Sequence, residues 1–208
     1  MNLSQAQLIA AEIMMNLHPS CIQIQIAGSV SRHVPEVKDI EIVYISKAGT
    51  RTIDLFGATR EFPTTDLVIA EMIDDGLLMR DPDVRRWGPK YKRARHCKSG
   101  IVVELFRAEL GNWGYILALR TGPARFSKLL VTSAAKNGAM PWGIEAKDGH
   151  LWKVGRTQRQ QLATPTEKIF FATLHVPHWS PEDRSAEALR QYIKERKLTQ
   201  HIEEQNAR

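Results

Sequence analysis

Acidic and apolar residues alternate along residues 39–45, which have the sequence DIEIVYI. Because successive side chains of a β-strand point to opposite faces, Asp39 and Glu41 share one face of a strand over this segment, and the isoleucines share the other. Isoleucine and glutamine alternate in the same way over residues 22–26. Two strands that each have one apolar face constrain the chain to form a sheet that buries one side against other elements.

The periodicity of the remaining chain predicts an α+β protein with two domains. We expect helices over 3–17 and 64–75 and strands over 22–26, 39–45, 77–79 and 101–106, followed by helices over 110–119, 123–137, 165–174 and 181–197. Ser4 is the expected N-cap of the first helix. Residues 1–108 are predicted to form a mixed sheet with flanking helices, and residues 109–208 a helix-rich domain.

Composition narrows the class of partner. The chain has 29 Lys and Arg against 23 Asp and Glu, a formal net charge of +6, which favours an acidic partner such as nucleic acid or nucleotide phosphate. Two cysteines exclude a disulfide framework and a cysteine zinc site. No apolar run reaches the length of a membrane span, and the first 17 residues lack the basic start of a signal peptide. We therefore expect a soluble, cytoplasmic protein.

A third acidic residue, Glu104, lies within an otherwise apolar run at residues 101–106. Two neighbouring carboxylates repel each other unless a cation neutralises them, and magnesium or manganese prefers such hard oxygen ligands. If the Glu104 strand neighbours the strand of Asp39 and Glu41, three carboxylates can hold two ions for phosphoryl transfer. The alternative is that Asp39 and Glu41 lie on the solvent face of an edge strand.

A possible phosphate-binding segment lies between the first two predicted strands. Gly28 follows a strand, so backbone amides and the Ser29 hydroxyl can meet a phosphate there. Arg32 comes three residues after Ser29, and its guanidinium can pair with two phosphate oxygens. The alternative is an ordinary turn with Arg32 on the surface. Combined with the three carboxylates, the pattern predicts a nucleotide site.

Residues 27–45 (AGSVSRHVPEVKDIEIVYI) resemble the palm motif of family X DNA polymerases, within the nucleotidyltransferase superfamily. Residues 119–122 (LRTG), 166–170 (TEKIF) and 181–184 (PEDR) resemble parts of the thumb of that family. The resemblance covers nearly the whole chain and implies a minimal palm, 1–108, followed by a polymerase β-like thumb, 109–208. About 20 residues precede the first strand, too few for the lyase or fingers domains of larger members.

The resemblance implies a template-directed, gap-filling DNA polymerase of the kind used in DNA repair. Its substrates are a DNA primer and template and a nucleoside triphosphate, its cofactors are two Mg²⁺ (or Mn²⁺) ions, and a monomer is expected. The implied catalytic residues and metal ligands are Asp39, Glu41 and Glu104, with Glu104 also placed to take the proton of the primer 3′ hydroxyl. The implied nucleotide-binding residues are Gly28, Ser29, Arg32, Thr121 and Gly122.

The chain departs from the family pattern in three places. Two of the three usual catalytic aspartates are glutamates, and the aromatic pair that usually precedes Thr-Gly is replaced by Leu119 and Arg120. The family commonly has Gly-Ser where this chain has Gly122–Pro123, and members often hold that bond in the cis form. Because the cis form costs only about 0.5–1 kcal/mol before proline, we expect a cis bond here.

Seven cations without an acidic residue among them lie between residues 85 and 98, in a segment predicted to be a loop. These cations are Arg85, Arg86, Lys90, Lys92, Arg93, Arg95 and Lys98. A loop of this charge favours contact with a DNA backbone, and the alternative is a solvated hairpin. Arg85, Arg86, Lys90, Lys92 and Arg93 are the expected DNA-binding residues of the loop, and Lys128 is expected to contact DNA from the thumb.

Two alternative functions remain open from the sequence. The same palm chemistry can serve an untemplated terminal nucleotidyltransferase or one that uses a small-molecule acceptor. A third possibility is a DNA-binding module whose site has lost activity, although all three carboxylate positions are filled.

Overall fold

The structure is a computed structural model that describes residues 1–52, 57–82 and 87–206. The chain is a mixed α+β protein and divides into two compact units, Met1–Glu109 and Leu110–Arg208. The first unit contains helices α1 (Leu3–Leu17), α2 (Gly28–Ser31) and α3 (Thr65–Asp74) and strands β1 (Cys21–Ile26), β2 (Asp39–Ser46), β3 (Ala48–Thr52), β4 (Thr59–Pro63), β5 (Leu78–Arg80), β6 (Tyr91–His96) and β7 (Val102–Arg107).

Five strands of the first unit form one mixed sheet in the order β1-β2-β7-β6-β5. Strands β2 and β7 run parallel, whereas the other neighbours in the sheet are antiparallel. Strands β3 and β4 form a separate antiparallel pair. The strand of Asp39 and Glu41 is therefore an interior strand, with β7 as its direct neighbour.

One face of the five-stranded sheet is covered by α1 and α3. Apolar side chains at helical spacing on α1, among them Ala10 and Ile13, are fully buried against Ile40 and Ile42 of β2 and Leu105 of β7. This packing uses the apolar half of the β2 alternation, and it leaves the acidic half on the opposite face.

The start of α1 differs from the sequence expectation. The N-cap is Asn2, whose side-chain oxygen accepts a hydrogen bond from the backbone N–H of Gln5 at 2.9 Å, and Ser4 lies within the helix. Asparagine and serine are both favoured caps, so the residue types alone did not decide between them.

The sequence predicts a loop over the basic segment, but part of this segment forms a strand. Residues Tyr91–His96 form β6, which lies between β7 and β5 in the sheet. Cations occupy both faces of this strand, and Ala94 is its single aliphatic residue. The alternation that identifies a strand is therefore hidden, because Lys92 and His96 occupy buried positions of the covered face that apolar residues usually fill.

The second unit combines helices with a three-stranded antiparallel sheet in the order β10-β9-β8. Its elements are α4 (Trp113–Thr121), α5 (Ala124–Leu130), β8 (Ile144–Lys147), β9 (His150–Val154), β10 (Arg159–Leu162), α6 (Glu167–Thr173) and α7 (Ala186–Asn206). Phe126, Leu151, Phe170 and Phe171 are fully buried in its core. Helices α4 and α6 approach closely at Gly114, where a Cβ atom would overlap the backbone of Thr166.

Three expectations for the second unit are wrong. The helix predicted over residues 181–197 begins at Ala186, after a separate 3₁₀ turn at Pro181–Asp183. The helix predicted over residues 123–137 ends at Leu130, and only a short 3₁₀ turn, Ala134–Lys136, follows it. The Gly122–Pro123 peptide bond is trans, and Gly122 has extended backbone angles, φ −72° and ψ 156°. The residue before a proline favours this extended conformation, and the trans form remains the more stable one for most X–Pro bonds.

Candidate functional site

The pairing of β2 with β7 brings the three predicted carboxylates onto one face of the sheet. Glu41 is the direct partner of Glu104 across this parallel pair, and Asp39 is the partner of Val102. Neighbouring strands lie about 4.8 Å apart, and paired residues point to the same face. Asp39, Glu41 and Glu104 therefore project from adjacent backbone positions on the face that α1 and α3 do not cover.

Gly28 lies against the carboxylate of Glu41. The backbone of Gly28 is in the left-handed region, with φ of 63°, and a Cβ atom there would overlap Glu41 Oε2. The backbone N–H of Ala27 donates to the carbonyl oxygen of Glu41 at 2.8 Å, which fixes the start of α2 beside β2. Glycine is required here both by the backbone angle and by the close approach of the side chain.

Ser29 lies on the short helix α2, and Arg32 follows directly after this helix. The Ser29 hydroxyl oxygen is buried and has no hydrogen-bond partner among the residues that the structure describes. A buried hydroxyl without a partner costs free energy, and a water molecule or a polar ligand at this position would satisfy it. Burial raises the pKa of Asp39 and the charge of Arg32 opposes this rise, so the guanidinium lies close enough to interact with the Asp39 carboxylate.

Glu104 is held by two side chains of the adjacent strand β6. The hydroxyl of Tyr91 donates to Glu104 Oε1 at 2.6 Å, and Arg93 Nη1 lies 3.5 Å from the same oxygen. Arg93 Nε donates to Asp81 Oδ2 at 2.8 Å, and the Asp81 side chain is fully buried. Arg95 Nε donates to the other oxygen of Asp81 at 3.1 Å.

The electrostatics of the site follow from this crowding. Burial raises the pKa of the Asp39 carboxyl, the charge of Glu104 raises it further, and Arg93 and Arg32 oppose the change. Burial and the bond to Glu104 together raise the pKa of Tyr91 to about 12, so its hydroxyl keeps its proton at neutral pH. Burial and the neighbouring charge of Glu104 therefore disfavour the ionised form of Asp39.

The three carboxylates suit a hard divalent cation by their chemistry. Oxygen ligands of this kind bind magnesium or manganese, and a cation beside Asp39 would oppose the burial and the charge of Glu104 that raise the pKa of its carboxyl. Within residues 1–52, 57–82 and 87–206, however, no group of three or more His, Cys, Asp or Glu side chains is gathered closely enough to hold a metal ion. The three carboxylates therefore fit the ion in donor type and in strand register, and binding an ion requires their side chains to move closer to one another.

The expected DNA-binding residues of the basic segment separate into different environments. Arg85 and Arg86 lie outside the described residues. Lys90 is exposed and lies 3.8 Å from Glu109. The side chain of Lys92 is only 7% exposed and its ammonium lies 2.8 Å from Asp66, so the placement of Lys92 on a DNA-facing surface is not what the structure shows.

Arg93, the last of these expected DNA contacts, takes part in the carboxylate cluster, where it binds both Asp81 and Glu104. The charged character of residues 90–95 was visible in the sequence, but their distribution over two faces was not. Tyr91 and Asp81, which organise Glu104, were not identified from the sequence. The spacing of Tyr91, Arg93 and Arg95 at every second position is the signal that indicates a shared strand face.

The remaining expected residues lie in the second unit. Thr121 is the last residue of α4 and is buried, with 1% of its surface exposed. Gly122 follows it, and a Cβ atom there would lie within 2.6 Å of the Phe126 ring. Lys128 is exposed on α5. It remains a prediction that Thr121 and Gly122 contact a nucleotide. It also remains a prediction that Lys128 contacts DNA.

No family model matches this chain, and no curated protein matches it either. In the part of the chain that the structure describes, no helix combines the length and the apolar character that crossing a bilayer requires.

Proposed function

We propose that this protein is a metal-dependent nucleotidyltransferase that extends a primer 3′ hydroxyl as a template-directed, gap-filling DNA polymerase similar to family X. One observation carries the proposal. Glu104 is the direct strand partner of Glu41, so three carboxylates share one sheet face beside a buried serine hydroxyl that has no partner among the described residues. The net charge of +6 and the resemblance of residues 27–45 to the palm motif support a nucleic-acid substrate.

Asp39, Glu41 and Glu104 are the residues that would hold two Mg²⁺ or Mn²⁺ ions. When bound, such ions supply Lewis-acid stabilisation of the charge that develops on the phosphoryl group and on the attacking and leaving oxygens. The Ser29 hydroxyl donates a hydrogen bond to the triphosphate, and Arg32 neutralises part of its charge. Gly28 supports this arrangement because only a residue without a Cβ atom leaves room for the carboxylate of Glu41.

The transfer step uses the primer 3′ hydroxyl as the nucleophile. Its oxygen forms a bond to the α-phosphorus of the nucleotide, while the bond from that phosphorus to the oxygen bridging to the β-phosphorus breaks. Pyrophosphate leaves with the bridging oxygen, and the hydroxyl proton passes to the carboxylate of Glu104. Glu104 suits this role because it is 15% exposed, and therefore accessible to a substrate, and because its other contacts fix its position.

Contact with DNA in this proposal depends on Lys90 and Lys128, which are exposed, and on Arg85 and Arg86, which lie outside the described residues. Lys90 and Lys128 are assigned to the DNA backbone, together with Arg85 and Arg86. Lys92 is assigned a structural role, because its ammonium is buried beside Asp66. Arg93 is assigned to the carboxylate cluster, which its bonds to Asp81 and Glu104 support.

The test is extension of a labelled primer at a single-nucleotide gap, with Mg²⁺ and each of the four deoxynucleotides in turn. We expect addition of the nucleotide complementary to the template base, and no addition by Glu104→Gln. The matched control is Asp74→Asn, which removes one carboxylate from the exposed end of α3 and should retain full activity.

Other outcomes favour the alternative functions. Addition that ignores the template base favours a terminal transferase. Transfer to a small hydroxyl compound, with no transfer to DNA, favours a small-molecule nucleotidyltransferase. Absence of transfer to any acceptor, with retained DNA binding, favours a DNA-binding module without activity and contradicts the proposal.

A further inference from the structure

The two β6 side chains that hold the Glu104 carboxylate both contact the same one of its oxygens. Tyr91 donates its hydroxyl proton to Oε1 at 2.6 Å, and Arg93 Nη1 lies 3.5 Å from the same atom. A hydroxyl-to-carboxylate bond of this length belongs to the short, strong class of charge-assisted hydrogen bonds. The bond from Tyr91 is therefore the principal restraint on Glu104.

The ring of Tyr91 is fixed independently of this bond. Tyr91 and Phe106 are direct partners across β6 and β7, and their rings stack with centroids 4.9 Å apart. Glu104 lies two residues before Phe106 on the same strand and the same face. The stacking therefore places the Tyr91 hydroxyl over Glu104, so that the hydroxyl meets the carboxylate without further rearrangement of the ring.

Arg93 is restrained from the side opposite Glu104. Its Nε atom donates to Asp81 Oδ2 at 2.8 Å, and the fully buried Asp81 also accepts from Arg95 Nε at 3.1 Å. A carboxylate that accepts from two guanidinium groups is strongly fixed. Arg93 therefore supplies a fixed positive charge near Glu104, and its longer contact restrains the carboxylate less than the Tyr91 bond does.

We propose that Tyr91 is a positioning residue for Glu104: its hydroxyl occupies Oε1, fixes the rotamer of the side chain, and leaves Oε2 as the oxygen that binds a divalent cation. This inference rests on the function proposed above. Carboxylates that bind metals are commonly held by a hydrogen bond to their second oxygen, and loss of such a bond typically lowers metal affinity or activity about 10–100-fold. Tyr91 meets that requirement from a neighbouring strand.

The test is titration of the full chain with Mn²⁺, in the absence of nucleotide, followed by electron paramagnetic resonance and calorimetry. Tyr91→Phe removes the hydroxyl and keeps the ring that stacks on Phe106. We expect it to weaken Mn²⁺ binding by about 10-fold or more, while the variant stays folded and loses only the modest stability that one hydrogen bond to a carboxylate contributes. The matched control is Tyr192→Phe, which removes a tyrosine hydroxyl bonded to the His175 carbonyl at 3.1 Å and should bind Mn²⁺ as wild type does.

Glu104→Gln separates failure of this inference from failure of the proposed function. If Mn²⁺ binding is weakened by Glu104→Gln but is the same in Tyr91→Phe as in wild type, the role of Tyr91 is overturned and the metal site stands. If Glu104→Gln binds Mn²⁺ as wild type does, there is no Glu104-dependent site, and both proposals fall. A kinetic readout adds a further check: Tyr91→Phe should lower kcat for primer extension while the KM for DNA stays constant.

Discussion

The two faces of the five-stranded sheet differ most clearly at Lys92 and Arg93, which are neighbours on β6. Lys92 points to the face that α3 covers, where its ammonium is buried 2.8 Å from Asp66 and lies 6.0 Å from the centre of the Trp87 ring. Arg93 points to the other face and binds Asp81 and Glu104. Adjacent cations of one strand thus serve packing on one side and a charged cluster on the other.

The same division applies to β2, where it separates core residues from residues of the candidate site. Ile40 and Ile42 are completely buried under the helices, whereas Asp39 and Glu41 are only partly buried on the second face. The second face is charged only at one end, since Val43 and Phe106 lie further along it and are buried. A single strand therefore carries both a share of the core and two of the three candidate ligands.

The largest expected effect is on turnover. Asp39→Ala should lower the rate of nucleotide addition by about 10³-fold or more, equivalent to roughly 4 kcal/mol in the activation barrier, because a charged ligand is lost from the site. Unfolding in denaturant should show that the variant is as stable as wild type or more stable. A variant that turns over normally would remove Asp39 from the reaction and leave the charged face without its assigned role.

A substitution on the covered face should have the opposite effect: it should lower stability and leave turnover nearly unchanged. Ile42→Ala creates a cavity beneath α1 and α3, and we expect the free energy of unfolding to fall by about 2–5 kcal/mol. Chemical denaturation followed by circular dichroism measures this loss. At a temperature where the variant remains folded, its kcat should stay within a few-fold of wild type. A loss of turnover larger than the loss of folded protein would show that the two faces are not independent.

The exposed and buried cations can be distinguished by the salt dependence of DNA binding. Lys90→Gln should reduce the slope of log K against log salt by about 0.9, as expected for one phosphate contact on duplex DNA. Lys92→Gln should leave the slope unchanged and lower stability instead, because it removes the ammonium that lies against Asp66. Fluorescence anisotropy over a salt series measures the slope. Equal slopes in all three proteins would remove Lys90 from the DNA-binding surface.

The smallest expected effect is on stability in the absence of metal, where, among the described residues, the charge of Asp39 has no cation to balance it except the neighbouring arginines. Its pKa is raised in the folded state, chiefly by burial, so the protonated form favours folding and the ionised form opposes it. Asp39→Asn should therefore be modestly more stable than wild type at neutral pH in EDTA. The difference should shrink as pH falls through the folded pKa and vanish below the unfolded value near 3.9. Melting temperatures across this range test the sign.

Much of the first unit was predictable because its apolar residues keep a regular period. Helix α1 spans the predicted residues 3–17, and β2 extends the predicted 39–45 by a single residue. Strand β6 was missed because Lys92 and His96 lie on its covered face, where apolar residues normally identify a strand. Lys92, which obscures the strand pattern in the sequence, forms an ion pair with Asp66 in the fold.

The composition of the site could be proposed from the sequence, but its internal contacts could not. Residue types and spacing singled out Asp39, Glu41 and Glu104, whereas the partner of each carboxylate depends on strand order. Tyr91 reaches Glu104 because β6 pairs with β7 across the short turn at residues 97–101, and this pairing can be predicted only once β6 is identified as a strand. The extended trans geometry at Gly122 likewise depends on the surrounding chain, which can select either isomer when their free energies differ little.

The parallel pairing of β2 with β7 also has a consequence for how the protein matures. Parallel neighbours need a long intervening connection, and here that connection includes β5 and β6, which complete the same sheet. Closing so long a loop is slow compared with forming local helices. During synthesis, the Gly28 turn, Asp39 and Glu41 emerge well before Glu104. A nascent chain therefore cannot bring these three acidic side chains together until most of its first unit has left the ribosome.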